Sequence, residues 1–220
     1  MIVALLGDPV SASLSPLMQN AAFAARGLDW TYVALRVRAE RLEPALHGLV
    51  ALGFAGANVT TPHKHAVAKL VEADVRSVNT LVIRDGELHG TSTDAAILAE
   101  LELERAAILG DGGAATAFAD ALPDALRFSR RTTWPPRLED VDLVVNATSE
   151  RDDPIAGLHA GQTLVDLPYP ATATARLAAD RGARVVDGLD VLVAQGAASF
   201  ELWTGVPAPR DVMRAAVRSA

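Results

Sequence analysis

Cysteine is absent from this sequence of 220 residues. Its absence excludes disulfide bonds and thiol nucleophiles, and it fits the reducing cytoplasm, which is the location we expect. Basic residues are few and unclustered, because 20 lysines and arginines face 27 acidic residues for a net charge of -7. A nucleic-acid partner is therefore not expected. No hydrophobic run approaches the length of a membrane span, so no membrane partner is expected either.

Half of the residues are hydrophobic, which is ample for the core of one large or two small domains. Strand-like and helix-like segments alternate along the chain, and this alternation predicts an α/β fold with mainly parallel sheets. The pattern starts again near residue 106, after a hairpin predicted at Asp85-Gly86. We expect two domains, formed by residues 1–94 with 190–220 and by residues 95–189.

Residues 58–64, Asn-Val-Thr-Thr-Pro-His-Lys, follow a short strand predicted over residues 53–57. Because a residue before proline avoids helical geometry, Pro62 should end the strand and a helix should occupy residues 63–71. Asn58 and Thr60 would then lie where the strand ends, and Lys64 in the first helical turn. Ligands of open α/β sheets bind at such positions. The alternative is a solvated loop with an ordinary surface lysine.

Two more helix starts carry polar side chains. Ser15 is predicted to cap a helix before Pro16, and its hydroxyl with that of Ser13 could bind a carboxylate. Thr93 is predicted to cap another helix, with Asp94 in its first turn. Plain capping is the alternative role for each of these residues.

A proton-transfer site follows if the sheet brings Lys64, Asn79 and Asp94 together. A neighbouring carboxylate favours the ammonium form of lysine, so Lys64 could donate a proton beside a carbonyl–alcohol couple during reduction. Gln195 is either an amide that reaches this ligand or a satisfied core amide. His63 and His65 lack a third ligand at useful spacing, and we expect no metal.

A glycine-rich turn joins the strand predicted over residues 106–109 to a helix. Its sequence, Gly110-Asp111-Gly112-Gly113-Ala114-Ala115, fits the pattern of dinucleotide-binding turns, in which backbone N–H groups approach a pyrophosphate. We therefore predict a cofactor contact over residues 110–114, through Gly110, Gly112, Gly113 and Ala114. A glycine-rich turn without a ligand is the alternative, and the carboxylate of Asp111 must point away from any phosphate.

The end of the next predicted strand carries two arginines instead of an acidic residue. An NAD site wants a carboxylate there, about 20 residues after the first glycine, for the ribose hydroxyls. Arg130, Arg131 and Thr132 offer two guanidiniums and a hydroxyl, which suit a 2′-phosphate, so NADP is favoured over NAD. Two exposed arginines at a strand end are the alternative.

Several segments occur in an order that is specific as a set, although each is modest alone. They are Ser13-Leu14-Ser15-Pro16 with Asn20, residues 58–64, Val78-Asn79-Thr80-Leu81-Val82, Thr93-Asp94, residues 110–115, Asn146-Ala147-Thr148-Ser149, Asp166-Leu167-Pro168-Tyr169 and residues 195–205. Together, over nearly the whole chain, they resemble the shikimate dehydrogenase family, including its quinate/shikimate relatives.

The resemblance implies an NADP-dependent enzyme that reversibly reduces 3-dehydroshikimate to shikimate in aromatic amino-acid (chorismate) biosynthesis. It implies an N-terminal α/β substrate-binding domain and a Rossmann-like parallel-sheet domain for NADP, in a monomer or homodimer. Lys64 and Asp94 would be the catalytic pair. The substrate would be held by Ser13, Ser15, Asn58, Thr60, Asn79, Tyr169 and Gln195. Arg131 with Thr132 would meet the 2′-phosphate, and Gly188 would lie by the nicotinamide.

The chain departs from the family pattern mainly on the cofactor side. It is shorter than the family norm, and it lacks a helical stretch before Asn79 and a crossover helix around Pro135-Pro136. Asp111 replaces a small residue, and Arg130 replaces an asparagine. Two alternatives follow: a dehydrogenase for quinate or a related ring, or with NAD preference, and a non-catalytic ligand-binding paralogue with a weakened cofactor site.

Overall fold

The computed structural model describes residues 1–102 and 105–220 of the chain. The fold divides into two compact units: unit 1 comprises Met1–Thr93 with Val193–Ala220, and unit 2 comprises Asp94–Leu192. The predicted α/β class, with a parallel Rossmann-like sheet in the second half, is confirmed. Across the described residues, none of the helices has both the length and the apolar character that crossing a bilayer requires.

The strands and helices alternate along the chain much as predicted. The strands are β1 (Ile2–Gly7), β2 (Thr31–Arg36), β3 (Gly56–Val59), β4 (Glu72–Ala73), β5 (Thr80–Arg84), β6 (Glu87–Thr91), β7 (Ala106–Leu109), β8 (Leu126–Phe128), β9 (Leu143–Asn146), β10 (Thr163–Asp166) and β11 (Arg184–Val186). The α-helices are α1 (Ser15–Ala25), α2 (Leu42–Ala51), α3 (Lys64–Val67), α4 (Gly113–Ala121), α5 (Ala173–Asp180), α6 (Gly188–Thr204) and α7 (Arg210–Arg218). Short 3-10 helices occupy Ala39–Arg41 and Ala96–Glu100.

Unit 1 is built on a six-stranded mixed sheet with the order β2-β1-β3-β5-β6-β4. Strands β1, β2 and β3 are parallel, and β5 is antiparallel to both β3 and β6. The end of β3, the start of β5 and the end of β6 therefore meet at one edge, where Asn58 pairs with Thr80 and Thr80 with Thr91. We call this the carboxyl edge of the sheet.

Each face of this sheet carries its own apolar core. On one face, β1 and β3 pack with α2 through residues such as Leu6, Leu46 and Val59. Successive strand residues point to opposite faces, so Gly56 and Asn58 face the other side, where Trp203 of α6 lies. On that side Phe23 of α1 stacks on a ring of α6, with 5.3 Å between the centroids.

Gly56 is required by the close approach of α6 to β3. A Cβ added there would lie 2.3 Å from the carbonyl oxygen of Leu81 and 2.6 Å from the indole nitrogen of Trp203. That indole N–H donates a 2.9 Å hydrogen bond to the same Leu81 oxygen. The absence of a side chain at Gly56 thus allows α6 to be bonded directly to the sheet.

Three local predictions for unit 1 are wrong. Helix α3 ends at Val67 instead of residue 71, because Val71 packs toward Gly90 and the next residues pair with β6 as β4. Ser15 is not a cap, because it already lies inside α1. Thr93 does not cap an α-helix, since the following turn is 3-10 and the Thr93 hydroxyl is bonded elsewhere.

Unit 2 contains a five-stranded parallel sheet with the order β11-β10-β9-β7-β8. Helix α4 connects β7 to β8, and α5 connects β10 to β11. The chain reverses its direction of travel across the sheet after β8, so β7 and β9 border the switch point at which open α/β sheets bind ligands.

The connection from β8 to β9 lacks an α-helix within the described residues, as its prolines predicted. Leu138 and Val141 instead cover the core of unit 2 directly. The buried amide of Gln162 donates hydrogen bonds of 2.7 and 2.8 Å to the carbonyl oxygens of these two residues. These bonds satisfy backbone groups that a helix would otherwise have paired.

Candidate functional site

The carboxyl edge of unit 1 contains a buried network of neutral polar side chains. Its members are Asn58, Asn79, Thr80, Thr93 and Ser199, each at most 6% exposed. The Ser199 hydroxyl of α6 lies 3.0 Å from Asn58 Nδ2, 2.9 Å from Thr80 Oγ1 and 3.1 Å from Thr93 Oγ1. We call this group the amide–hydroxyl network, and it joins β3, β5, α6 and the segment after β6.

Asn58 uses both ends of its side-chain amide within this network. Its Oδ1 accepts a 2.9 Å hydrogen bond from the Tyr32 hydroxyl, and its Nδ2 donates to the backbone oxygen of Asn79 at 3.1 Å. The same Nδ2 lies 3.1 Å from the Thr80 hydroxyl. The predicted ligand-contacting residue Asn58 is therefore held inside unit 1 by partners from β2 and from the start of β5.

Asn79 and Gln195, both predicted to hold the substrate, lie together. Asn79 Nδ2 donates to Gln195 Oε1 at 3.4 Å and to the Thr93 hydroxyl at 3.0 Å. Asn79 Oδ1 accepts from the backbone N–H of Thr93 at 2.7 Å. Gln195 is half-buried on α6, one turn before Ser199, whose hydroxyl donates to the Gln195 carbonyl. The Gln195 amide is thus bonded to Asn79, and its contact with a ligand stays a prediction.

The two serines and Thr60 follow parallel strands of the same sheet. Ser13 lies in the loop after β1, and its Oγ accepts a 3.2 Å hydrogen bond from the backbone N–H of Ser15. Thr60 comes directly after β3, and its backbone N–H donates to the carbonyl of Leu6 in β1. Neighbouring parallel strands end at the same side of a sheet, so these hydroxyls share the carboxyl edge with the network.

Lys64 lies in the first turn of α3, as predicted, and is half-buried. Its backbone carbonyl accepts a 3.1 Å hydrogen bond from Val78, which ties the start of α3 to the segment that enters β5. The preceding His63 is 1% exposed, and its Nε2 lies 2.6 Å from the carbonyl oxygen of Val37. Both contacts fix the backbone that carries the Lys64 ammonium.

Besides the contacts predicted at residues 110–114 and 130–132, three predicted site residues belong to unit 2. Asp94, 9% exposed, opens this unit directly after Thr93, and its pairing with Lys64 stays a prediction. Tyr169 is half-buried in the turn after β10. Gly188 begins α6, and a Cβ there would meet the carbonyl oxygen of Pro168 at 2.4 Å. Backbone crowding alone therefore requires glycine at this position.

The glycine-rich turn lies at the switch point of the unit 2 sheet. Gly110 has a φ of +118°, and a Cβ there would lie 2.8 Å from the carbonyl oxygen of Ala147 after β9. Gly112 faces open space, with no described atom within 4 Å of an added Cβ. The α4 helix that follows has no side-chain hydrogen bond at its N-terminus among the described residues. Its first N–H groups are consequently available to an anion.

A pocket of about 330 Å³ brings part of the predicted cofactor set together. Its lining includes Gly110, Gly112, Arg130 and Arg131 from the prediction, with Asp111, Ser129, Trp134, Ala147, Thr148, Ser149, Glu150 and Ile155 in addition. We call it the arginine pocket. Thr132 is not part of the lining; its hydroxyl lies 3.0 Å from that of Ser129 in the turn after β8. Gly113, Ala114 and Gly188 do not line it either.

Each arginine of this pocket faces a carboxylate of the same unit. Arg130 Nη2 lies 3.1 Å from Glu150 Oε2, and Arg131 Nη1 lies 3.4 Å from Asp111 Oδ2. Hydrogen bonds from the backbone N–H groups of Asp152 and Asp153 lower the pKa of the Glu150 carboxyl from its ordinary value, and Arg130 acts in the same direction. Glu150 is therefore ionised at neutral pH.

Sequence reasoning missed the contributions of Tyr32, Ser199, Trp134 and Glu150. Tyr32 and Ser199 join the amide–hydroxyl network from β2 and α6, far from the motif at residues 58–64. Glu150 directly follows the segment at residues 146–149. That segment begins with the last residue of β9, the strand that pairs with β7. The sheet order would have identified Glu150, because residues after both strands at a switch point face the same crevice.

One group of possible metal ligands lies on unit 1, away from these predictions. His89 and Glu72 are register partners on β6 and β4, and Glu87 points to the same face of β6. Their donor atoms lie within 4.8 Å of one another, and His89 Nδ1 is 2.9 Å from Glu72 Oε2. These side chains are exposed or half-buried, and a surface ion pair accounts for them.

Known proteins similar to this chain point to one family. The family model for the shikimate dehydrogenase substrate binding domain matches residues 5–81, and that for the shikimate 5′-dehydrogenase C-terminal domain matches residues 188–218. The NADP(+) shikimate dehydrogenase of Moorella thermoacetica is 41% identical, with 100% of this chain and 93% of the relative covered. That of an Anaeromyxobacter species is also 41% identical, with 96% and 94% covered.

A solved structure from the same family is similar to this chain in fold. Shikimate 5-dehydrogenase of Thermus thermophilus, in complex with NADP(H) and shikimate, has a TM-score of 0.89 and 30% identity, with 100% of this chain and 99% of that chain covered. The alignment with the Moorella thermoacetica relative spans 276 positions, whereas this chain has 220 residues. The relative is therefore longer within the matched region.

Proposed function

Because the chain belongs to the shikimate dehydrogenase family, we propose that it is an NADP-dependent oxidoreductase that interconverts 3-dehydroshikimate and shikimate in aromatic amino-acid biosynthesis. The full-length similarity to dehydrogenases of this name is the observation that carries the proposal. We also propose the cytoplasm as its location, and we expect a monomer or homodimer.

The residues of unit 1 suit a small ring that bears hydroxyls and a carboxylate. Ser13 and Ser15 lie together at the start of α1 and would bind the carboxylate through their hydroxyls. Thr60, Asn79 and Gln195 would bind ring hydroxyls at the same edge. Asn58 would contact the substrate at this edge too, from a position held by its hydrogen bonds to Tyr32 and to the backbone of Asn79.

The turn and pocket of unit 2 fit a phosphorylated dinucleotide. The open space at Gly112 and the uncapped start of α4 suit a pyrophosphate, and the guanidiniums of Arg130 and Arg131 suit a 2′-phosphate. The nicotinamide of bound NADP would accept or supply the hydride. Gly113 and Ala114 would contribute backbone N–H groups, Thr132 a hydroxyl near the 2′-phosphate, and Gly188 would lie by the nicotinamide.

We assign the proton transfer to Lys64, with Asp94 as the second catalytic residue and Tyr169 as a substrate contact. An ammonium group can protonate the oxygen of the ring carbonyl as that carbonyl is reduced, and it can take the proton back in the reverse direction. The buried His63 contact and the Val78 hydrogen bond hold the backbone of Lys64 in place for this role.

The proposal is tested by following NADP+ reduction with shikimate, with quinate as a second substrate and NAD+ as a second cofactor. We expect the highest kcat/KM with shikimate and NADP+. Lys64→Ala should lower kcat by roughly 10²–10⁴-fold, the usual share of a general acid, while calorimetry still detects shikimate binding. Lys69→Ala, an exposed lysine two residues after α3, is the matched control and should leave kcat unchanged.

Three outcomes would contradict the proposal or a part of it. No NADP+ reduction with shikimate, together with no NADPH binding at millimolar concentration, would favour a ligand-binding protein without dehydrogenase activity. Unchanged turnover in Lys64→Ala would refute the role of the lysine. A higher kcat/KM with quinate than with shikimate would move the substrate assignment to quinate within the same reaction type.

A further inference from the structure

The arginine pocket holds equal numbers of positive and negative side chains around its guanidiniums. Arg130 pairs with Glu150 and Arg131 with Asp111, so the formal charges of these groups cancel. A pocket that served only to bind a phosphate should carry a net positive charge, because a 2′-phosphate carries nearly two negative charges at neutral pH. The carboxylates of Asp111 and Glu150 therefore make the pocket less favourable for a phosphate than its arginines alone would.

Glu150 is held in the pocket more firmly than an ordinary surface carboxylate. Its Oε1 accepts hydrogen bonds from the backbone N–H groups of Arg151 at 3.1 Å and Asp152 at 3.3 Å. Its Oε2 is the oxygen that faces Arg130. The side chain is 25% exposed, whereas that of Asp111 is 45% exposed and can turn away into solvent. Of the two carboxylates, Glu150 is the one fixed against its arginine.

The guanidinium of Arg130 has two contacts in the pocket, one with a carboxylate and one with an aromatic ring. The Glu150 carboxylate contacts Nη2 of Arg130, and Cζ of Arg130 lies 5.7 Å from the centroid of the Trp134 ring. An incoming phosphate must either displace the carboxylate from Arg130 or share the guanidinium with it at short range. Both cases weaken phosphate binding, while an unphosphorylated ribose meets a carboxylate that can accept hydrogen bonds from its hydroxyls.

We propose that Glu150 is a specificity-determining residue, which competes with the 2′-phosphate for Arg130 and so lowers the preference for phosphorylated over unphosphorylated nucleotides. This inference rests on the proposed function, since it concerns the cofactor of that reaction. It predicts that the protein discriminates less between NADP and NAD than its arginines alone would suggest.

The test compares adenosine 2′,5′-bisphosphate with AMP, which differ only by the 2′-phosphate, in calorimetric titrations at one fixed low ionic strength. Glu150→Gln should raise the ratio of the two affinities by about fivefold, the size expected when an exposed ion pair no longer competes. Glu139→Gln removes an exposed carboxylate from the same unit, outside the pocket, and should leave the ratio within about twofold.

Arg130→Ala separates competition for the guanidinium from a general charge effect. In the Arg130→Ala protein, Glu150→Gln should raise the ratio of the two nucleotide affinities by less than half as much as it does when Arg130 is present. The reason is that the guanidinium for which Glu150 and the phosphate compete is then gone. An unchanged or lowered ratio in Glu150→Gln, or an equal gain with and without Arg130, would overturn the inference alone. Failure of the unmodified protein to bind either nucleotide would overturn the proposed function together with the inference.

Discussion

The two units place polar residues at comparable positions of their sheets but use opposite chemistry. In unit 1 the amide–hydroxyl network is neutral, buried and linked to strands and helix alike. In unit 2 the arginine pocket is charged, and its guanidiniums are 66% and 83% exposed. Buried neutral hydrogen bonds fix geometry, whereas exposed ion pairs contribute little stability and exchange partners readily.

This difference suits the two ligands that we propose. A ring with several hydroxyls is recognised by oriented donors and acceptors, and orientation requires a rigid backbone beneath them. A phosphate is recognised mainly by charge, and a mobile guanidinium can adjust to it. We therefore expect substitutions in the network to act on stability and those in the pocket to act on nucleotide affinity.

The largest effect on stability should come from Gly56→Ala, which strikes the contact between β3 and α6. The added Cβ would lie 2.3 Å from the backbone oxygen of Leu81, which cannot move without breaking the sheet. We expect a loss of about 3 kcal/mol in the free energy of unfolding, measured by urea denaturation. Gly48→Ala is the control: it lies in α2 with open space around it and should stabilise by about 0.5–1 kcal/mol.

Asn58→Ala should have the next largest effect, because it opens the centre of the amide–hydroxyl network. The substitution removes the hydrogen bonds that the Asn58 amide makes to the Tyr32 hydroxyl and to the Asn79 carbonyl inside a buried region. We expect a loss of about 2 kcal/mol, together with faster hydrogen exchange in peptides of β3 and β5. A loss below about 0.5 kcal/mol would mean that the network does not hold the carboxyl edge, and the contrast between the units would fail.

The sequence was sufficient for features that depend on neighbouring residues. The hairpin at Asp85-Gly86 follows from two residues that accept positive φ, and they adopt 51° and 82°. The alternation of strands and helices, the glycine-rich turn and the place of Lys64 in a first helical turn were found in the same way. Each of these depends on a pattern within a short window of sequence.

Features that depend on distant residues could not be found. The early end of α3 results from the pairing of β4 with β6, and strand pairing across the sheet leaves no trace in the helix sequence. Ser199 reaches Asn58 only because Gly56 lets α6 approach β3. Glu150 faces Arg130 because β9 and β8 both lie beside β7, which is a property of strand order.

Ser199→Ala tests the same network with a smaller change. The hydroxyl lies close to three side chains, but Asn58 and Thr80 keep hydrogen bonds to each other when it is removed. We therefore expect a loss of about 1 kcal/mol in urea denaturation. Ser219→Ala, at the exposed end of α7, is the matched control and should change stability by less than about 0.5 kcal/mol.

Glu150→Gln should have the smallest effect on stability and a characteristic dependence on pH. The carboxyl has a lowered pKa in the folded protein, so its ionised form contributes stability above about pH 4.5, and this contribution is lost as the pH falls through the folded pKa. The small penalty of Glu150→Gln at neutral pH should consequently shrink in acid. Urea denaturation of the unmodified protein, of Glu150→Gln and of the control Glu139→Gln, each at neutral and at acidic pH, measures how the stability penalty changes with pH.

A penalty for Glu150→Gln as large as that for Asn58→Ala would erase the contrast between the units. It would mean that the Glu150 carboxylate holds the turn after β9 as rigidly as the amide–hydroxyl network holds the carboxyl edge of unit 1. Arg130 would then be fixed and unable to exchange its carboxylate for a phosphate. A penalty that is small and fades in acid instead leaves the guanidinium able to change partners, as competition for a 2′-phosphate requires.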